Sequence, residues 1–248
     1  MKNFELLSFG TADELASRVA GLWLDEIESA NRAGKAHSVA LSGGRITQKF
    51  YAATVEQAGL RKIGDGGTPS LPPNVHFFWA DERCVPPTDP ESNFKLANEL
   101  LFAPLKIPAS QIHRIRGEES VQAAAKFAEE ELRRVVSADK NRQPVLDLIF
   151  LGLGEDGHVA SLFPDAPLQK LESPVSFLAI ENSPKPPPRR VSMSYAAIAA
   201  ANQVWVLVSG TGKETALRES LRPGGQTPLA RVMRSRSRTK LFSDFRLD

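Results

Sequence analysis

Short apolar runs alternate with helical stripes along this chain, and several of the runs end abruptly in polar or glycine-rich loops. Runs at 38–41, 75–80, 147–151, 177–180 and 204–209 have strand length, whereas 12–33, 47–58, 92–101 and 120–136 carry helical spacing. In 12–33 the stripe is Leu15, Val19, Leu22 and Ile27. Such alternation predicts an α/β fold, with a mainly parallel, open, Rossmann-like sheet and helices on both faces. The Gly/Pro-rich stretch 64–73 reads as a loop. No repeat or linker interrupts the pattern, and 248 residues at 42% hydrophobic content suffice for a full core, so residues 1–248 read as one domain.

Bulk properties exclude several classes. A net charge of +2 gives no electrostatic case for a nucleic-acid partner. Residues 1–8 lack the apolar core of a signal peptide, and no apolar run approaches a membrane span, so a cytoplasmic protein without a membrane partner is expected. A single cysteine, Cys84, excludes an internal disulfide and fits a reducing compartment. The basic run Arg231, Arg234, Arg236, Arg238 and Lys240 reads as solvated surface on so nearly neutral a chain.

In open α/β sheets, ligands bind beyond the carboxyl ends of the strands. Ser42-Gly43-Gly44, Asp81-Glu82-Arg83, the 154–158 turn and Gly210-Thr211-Gly212-Lys213 all follow predicted strands and should therefore face one cleft. The turn is the richest of them. Residues 151–164 pack three glycines, Glu155, Asp156 and His158 between a strand and Pro164. Gly152, Gly154 and Gly157 match the dinucleotide fingerprint, but two carboxylates stand where a pyrophosphate needs bare amides, and Pro164 stops the following helix after about two turns. The 210–213 loop is no Walker loop either, because Leu207 and Glu214 occupy its Gly and Ser/Thr positions.

These segments carry a resemblance. Leu41 through Gly44, Asp81 through Pro86 with Ser92-Asn93, Gly152 through Pro164, Ser183 through Pro188 with Arg190-Val191-Ser192, and Gly212-Lys213 are similar, in order, to the 6-phosphogluconolactonases, which share a superfamily with glucosamine-6-phosphate deaminase/isomerase. The resemblance implies a cytosolic enzyme of the oxidative pentose phosphate pathway. Such an enzyme opens the δ-lactone of 6-phosphogluconate with neither a metal nor an organic cofactor. Its partner is a small phosphosugar lactone, and a monomer or weak homo-oligomer is expected.

The residues are consistent with that chemistry. Lactone hydrolysis needs an activated water, a stabilised oxyanion and a proton for the leaving alkoxide. The chain has no Gly-x-Ser-x-Gly elbow and no His-Glu-x-x-His, and His37, His76, His113 and His158 are scattered. Direct attack by water with His158 as base is the simplest remaining scheme. A helical turn starting at His158 would keep the imidazole neutral through its dipole. Asp81 and Asp156 are both candidates to orient the ring, and the sequence does not choose between them. Arg83 is the candidate for stabilising charge at the carbonyl or gripping the sugar, with a surface ion pair to Glu82 or Asp89 as its plain alternative.

For the phosphate, Ser42, Gly43 and Gly44 offer backbone N–H groups at a helix start. Lys213 matches the superfamily's phosphate-side lysine and Arg190 joins it. The proline block reads as a rigid wall carrying Lys185. Family members commonly read Gly-Gly-Ser-Thr-Pro where this chain has Gly43-Gly44-Arg45-Ile46-Thr47, so Arg45 either contacts phosphate directly, with Thr47 at the helix start, or points to solvent. Two other functions compete. Deaminase relatives place a glutamate after the histidine, where this chain has Val159-Ala160-Ser161-Leu162-Phe163-Pro164. A non-catalytic sugar-phosphate binder would have no need of His158 beside Asp81, Arg83 and Asp156.

Overall fold

The computed structural model describes residues 4–61, 70–166 and 174–247, so most of the 64–73 loop lies outside the described residues. Strands β1 (Phe4–Ser8), β2 (His37–Leu41), β3 (Val75–Trp79), β5 (Leu148–Gly152), β8 (Gln203–Val208) and β9 (Thr239–Ser243) form one sheet, ordered β1-β9-β8-β5-β2-β3. All five pairings are parallel. β4 (Asp81–Arg83), β6 (Phe177–Ile180) and β7 (Arg190–Met193) form a separate antiparallel sheet, ordered β4-β7-β6. The 177–180 run is thus a strand, as its composition indicates, but it leaves the main sheet. A tight proline turn, closed by Ser183 N–H to the Pro188 carbonyl at 2.8 Å, sends the chain straight back, and a hairpin return can only pair antiparallel.

Seven described α-helices accompany the strands: α1 (Ala12–Arg32), α2 (Arg45–Leu60), α3 (Asn93–Ala97), α4 (Val121–Val135), α5 (Tyr195–Ala200), α6 (Glu214–Leu221) and α7 (Pro228–Arg234). A π-helical stretch at Asn98–Phe102 continues α3. The Thr11 hydroxyl accepts from Glu14 N–H at 3.1 Å to start α1, and the Glu14 carboxylate accepts from Gly10 N–H at 2.9 Å. The helix buries Leu15, Val19, Trp23 and Ile27, with Leu22 at the margin of that stripe. Ser92, Ser120, Ser194 and Thr227 cap α3, α4, α5 and α7 in the same way. α2 differs: it starts at Gly44, with φ +114 and no side-chain cap.

An aromatic chain crosses the core. Trp23 packs on Phe50 with ring centroids 5.4 Å apart, Phe50 on Phe150 at 4.7 Å, Phe150 on Trp205 at 5.7 Å and Trp205 on Phe242 at 5.4 Å. Each pair adds about 0.5–1.5 kcal/mol beyond its area burial. This chain ties α1 and α2 to β5, β8 and β9, whose ends carry or border the loops described below.

The basic run is solvated surface only in part, at Arg234 and Arg238. Arg236 is buried and donates to the Ile198 and Ala199 carbonyls at 2.6 and 2.8 Å, satisfying the end of α5. Arg231 lies over Tyr195, Lys240 lies 4.8 Å from the Trp205 ring, and Arg238 pairs with Glu5. The stems of these long side chains cover apolar surface, which a count of charges does not reveal. Three histidines are likewise structural. His37 accepts from Trp23 Nε1 at 3.3 Å, and His76, His113 and Glu131 form a chain with links of 2.9 and 2.8 Å. Among the described residues, no helix is long and apolar enough to cross a membrane.

Candidate active site

From β2 the sheet continues outward to β3, and from β5 it continues the other way to β8. Loops leaving β2 and β5 therefore diverge and open a crevice at the carboxyl ends of the strands. A pocket occupies it. Ser42, Gly43, Gly44 and Arg45 line one side, Gly152, Gly154 and His158 another, and Asp81, Arg83 and Arg190 of the small sheet close it. Ser209 and Lys213, beyond β8, complete the rim. The four strand-end loops singled out in the sequence do converge.

The histidine turn is locked by its own main chain. Gly154 N–H donates to the His158 carbonyl at 2.8 Å and Gly157 N–H to the Gly154 carbonyl at 3.0 Å. A Cβ at Gly154 would lie 2.0 Å from His158 Nδ1 and 2.5 Å from Asp156 Oδ1, so only glycine fits there. Asp156 Oδ1 and His158 Nδ1 are 2.5 Å apart. With Nδ1–H donated to the carboxylate, Nε2 carries the lone pair, and among the described residues it has no hydrogen-bond partner. Asp81 does not reach the ring. Its Oδ2 accepts from the Ser161 hydroxyl at 2.7 Å.

The helical turn expected after His158 does not form. Residues 159–162 make a tight turn bridged between Val159 and Leu162, with Ala160 at φ 48. A helix dipole therefore has no part in holding the imidazole neutral. Burial pushes the His158 pKa down, and this outweighs the upward pull of Asp156. Burial pushes the Asp156 carboxyl up, but its hydrogen bond to His158, with the charges of His158 and Lys185, brings it below its ordinary value.

The pocket lining also carries cations, Arg45 and Lys213 among them. Arg45 is exposed at the first turn of α2. Burial lowers the Lys213 ammonium, with Glu155 pulling it up and Lys185 and Arg45 pushing it further down. Lys213 thus lies within electrostatic reach of both Lys185 and Arg45. Thr47 does not face the pocket: its hydroxyl donates to the Gly43 carbonyl at 3.0 Å. The Ser42 hydroxyl donates to the Phe150 carbonyl at 2.7 Å, clamping β2 to β5. Lys185 Nζ lies 3.8 Å from Asp156 Oδ1 and does not line the pocket.

Arg190 lines the pocket, but its guanidinium is largely engaged. Nε donates to the Pro187 carbonyl at 3.0 Å, and Nη2 to the Lys185 and Pro186 carbonyls at 3.2 and 2.9 Å. It braces the proline turn more than it offers donors to a ligand. The Arg83 guanidinium donates to the Glu91 carbonyl at 2.7 Å, with the Glu91 carboxylate at 3.5 Å, so its ion-pair partner is neither Glu82 nor Asp89. Cys84 is half-buried, and burial pushes its thiol up to about 11. Two contributors escaped the sequence reading of site chemistry. Asn93 lines the pocket, and Ser161 joins the histidine turn to Asp81. Only the adjacency of Ser92-Asn93 and the serine three residues past His158 gave any signal of them.

An open parallel sheet with a cation-lined pocket and a carboxylate–imidazole pair at its strand ends defines the class: a parallel α/β protein whose candidate site lies beyond the strand ends. The family model described as glucosamine-6-phosphate isomerases/6-phosphogluconolactonase matches residues 10–241, and the chain belongs to that family. The 6-phosphogluconolactonase of Haemophilus influenzae is 33% identical over 213 residues, covering 86% of this chain and 84% of that one. That of Mycobacterium tuberculosis is 39% identical over 161 residues, 63% of this chain, and the match spans 64% of its length. The crystal structure of 6-phosphogluconolactonase from Thermotoga maritima superimposes with a TM-score of 0.78 at 28% identity, covering 97% of this chain and 98% of that one.

Proposed function

We propose that this protein hydrolyses 6-phosphoglucono-δ-lactone to 6-phosphogluconate, the lactone-opening step of the oxidative pentose phosphate pathway, with residues 1–248 acting as one domain. The observation that carries this reading is the pairing of His158 with Asp156 at 2.5 Å in a pocket also lined by Arg45, Lys213 and the uncapped start of α2. In this scheme His158 Nε2 takes a proton from water as its oxygen attacks the lactone carbonyl. Asp156 holds the ring and stabilises the imidazolium that forms. Arg83, at the Asp81 side of the pocket, faces the charge that develops on the carbonyl oxygen. Collapse of the tetrahedral intermediate breaks the bond to the ring oxygen, which receives the proton from His158. The Gly43 and Gly44 main chain, Lys213 and Arg45 hold the phosphate.

The segment after His158 favours this over a deaminase reading. Val159 through Pro164 include no acidic residue, so the turn presents no carboxylate to a sugar ring from those positions. An assay that couples 6-phosphogluconate formation to its oxidation, corrected for spontaneous opening, should register lactone hydrolysis and no ammonia from glucosamine 6-phosphate. Ammonia release without lactone hydrolysis would sink the proposal.

A further inference from the structure

Glu82 is 2% exposed and makes no salt bridge among the described residues. Its carboxylate is met by neutral donors only: the N–H groups of Arg83 at 2.7 Å, Asn93 at 2.9 Å and Phe94 at 2.8 Å, and the Ser92 hydroxyl at 3.2 Å. Burial pushes the carboxyl up to about 7, against the three N–H groups that favour its charge. A buried carboxylate is costly, and an isosteric uncharged residue would fill the same space at lower electrostatic cost. What the carboxylate adds is geometry, because it gathers donors from two separate stretches of chain.

The consequence reaches the pocket through two neighbours. Once the 92–94 turn is drawn against β4, the Asn93 carboxamide donates to the Asp81 carbonyl at 2.9 Å and lies against Gly43. A Cβ on Gly43 would meet Asn93 Oδ1 at 2.0 Å, so the two residues are in direct apposition. The adjoining Glu91 carbonyl receives the Arg83 guanidinium at 2.7 Å. Asn93, Gly43 and Arg83 all line the pocket, whereas Glu82 does not.

We propose that Glu82 is a positioning residue: by holding the 91–94 turn it fixes Asn93 against the Gly43 main chain and Arg83 along the pocket wall, and so sets affinity for the phosphorylated ligand without touching it. This rests on the lactonase reading and on the phosphate lying at Gly43.

The test is Glu82→Gln, which keeps the shape but replaces one accepting oxygen with a donor facing N–H groups. KM for the lactone and Kd for 6-phosphogluconate should both rise about tenfold through the Asn93–Gly43 contact, with a smaller fall in kcat through the loosened Arg83, because the His158 pair is untouched. A purely structural role would lower Tm and leave KM alone below the transition. Asn93→Ala keeps Glu82 and all its donors, and should raise KM by a similar factor. The double variant should be no worse than the weaker-binding single one. Unchanged KM in folded Glu82→Gln overturns the proposal. Should that variant not fold, Asn93→Ala decides, and unchanged KM there overturns it equally. A wild-type protein without lactone turnover would sink the lactonase reading, whereas an active wild type with unaltered variants sinks only the role of Glu82.

Discussion

The start of α2 and the histidine turn follow adjacent strands of one sheet and treat their backbones in opposite ways. At the start of α2, Gly44 adopts a conformation that supplies no cap, and Gly44, Arg45 and Ile46 line the pocket. At the histidine turn the main chain satisfies itself through Gly154 and Gly157, and an imidazole is presented on a closed loop. On the proposed function, one region leaves its backbone donors open for the phosphate, and the other fixes its backbone so that a side chain moves a proton without moving itself. Damage to the first should appear as lost affinity, and damage to the second as lost turnover.

The largest effect should come from His158→Ala. Turnover should fall by about 10²–10⁴-fold while 6-phosphogluconate still binds, measured by steady-state kinetics beside calorimetry. Near wild-type turnover would erase the division between the two regions. Next, Lys213→Ala should weaken phosphorylated substrate by roughly 1.5–3 kcal/mol and barely affect the unphosphorylated lactone. Equal losses on both substrates would remove Lys213 from the phosphate corner. Arg45→Ala, compared in the same pair of assays, should give the same selectivity at a smaller size, because Arg45 is more exposed.

Asp156→Asn sharpens the other side of the comparison. Imidazolium cannot accept a proton, so turnover falls as pH drops through the His158 pKa, which burial holds below its ordinary 6.5. Asp156 pulls that pKa upward. Removing its charge should therefore move the acid limb of turnover to lower pH, and a limb that stays or rises would contradict the pairing. The smallest effect belongs to a helix start remote from the site. Thr11→Ala should lower stability by about 1 kcal/mol, read as a fall in Tm, with kinetics unchanged.

The strand-end loops were legible because chemistry and topology coincide there: apolar runs fix where the strands stop, and polar residues cluster where they stop. β9 was not legible, because Arg238 and Lys240 give 239–243 the look of surface while Leu241 and Phe242 carry the burial. Nor was the turn after His158. Pro164 limits a helix, but nothing in the residue types predicts that Ala160 takes φ 48. Arg190 was placed correctly at the pocket, yet its carbonyl partners belong to the proline turn, whose path no local pattern gives. Glu82 sits inside a charged triplet, where a buried anion held by N–H groups looks the same in sequence as a solvated one.

Among the described residues β1 pairs only with β9, residue for residue from Phe4 opposite Thr239 to Ser8 opposite Ser243. During synthesis the first strand must therefore wait for the last, and the sheet cannot finish until more than two hundred intervening residues have left the ribosome. β2, β3 and β5, with the loops of the pocket that follow them, can assemble earlier, while the unpaired edge of β8 stays open as a template for the wrong chain. The interval before β9 arrives is when a nascent molecule of this protein is most exposed to aggregation.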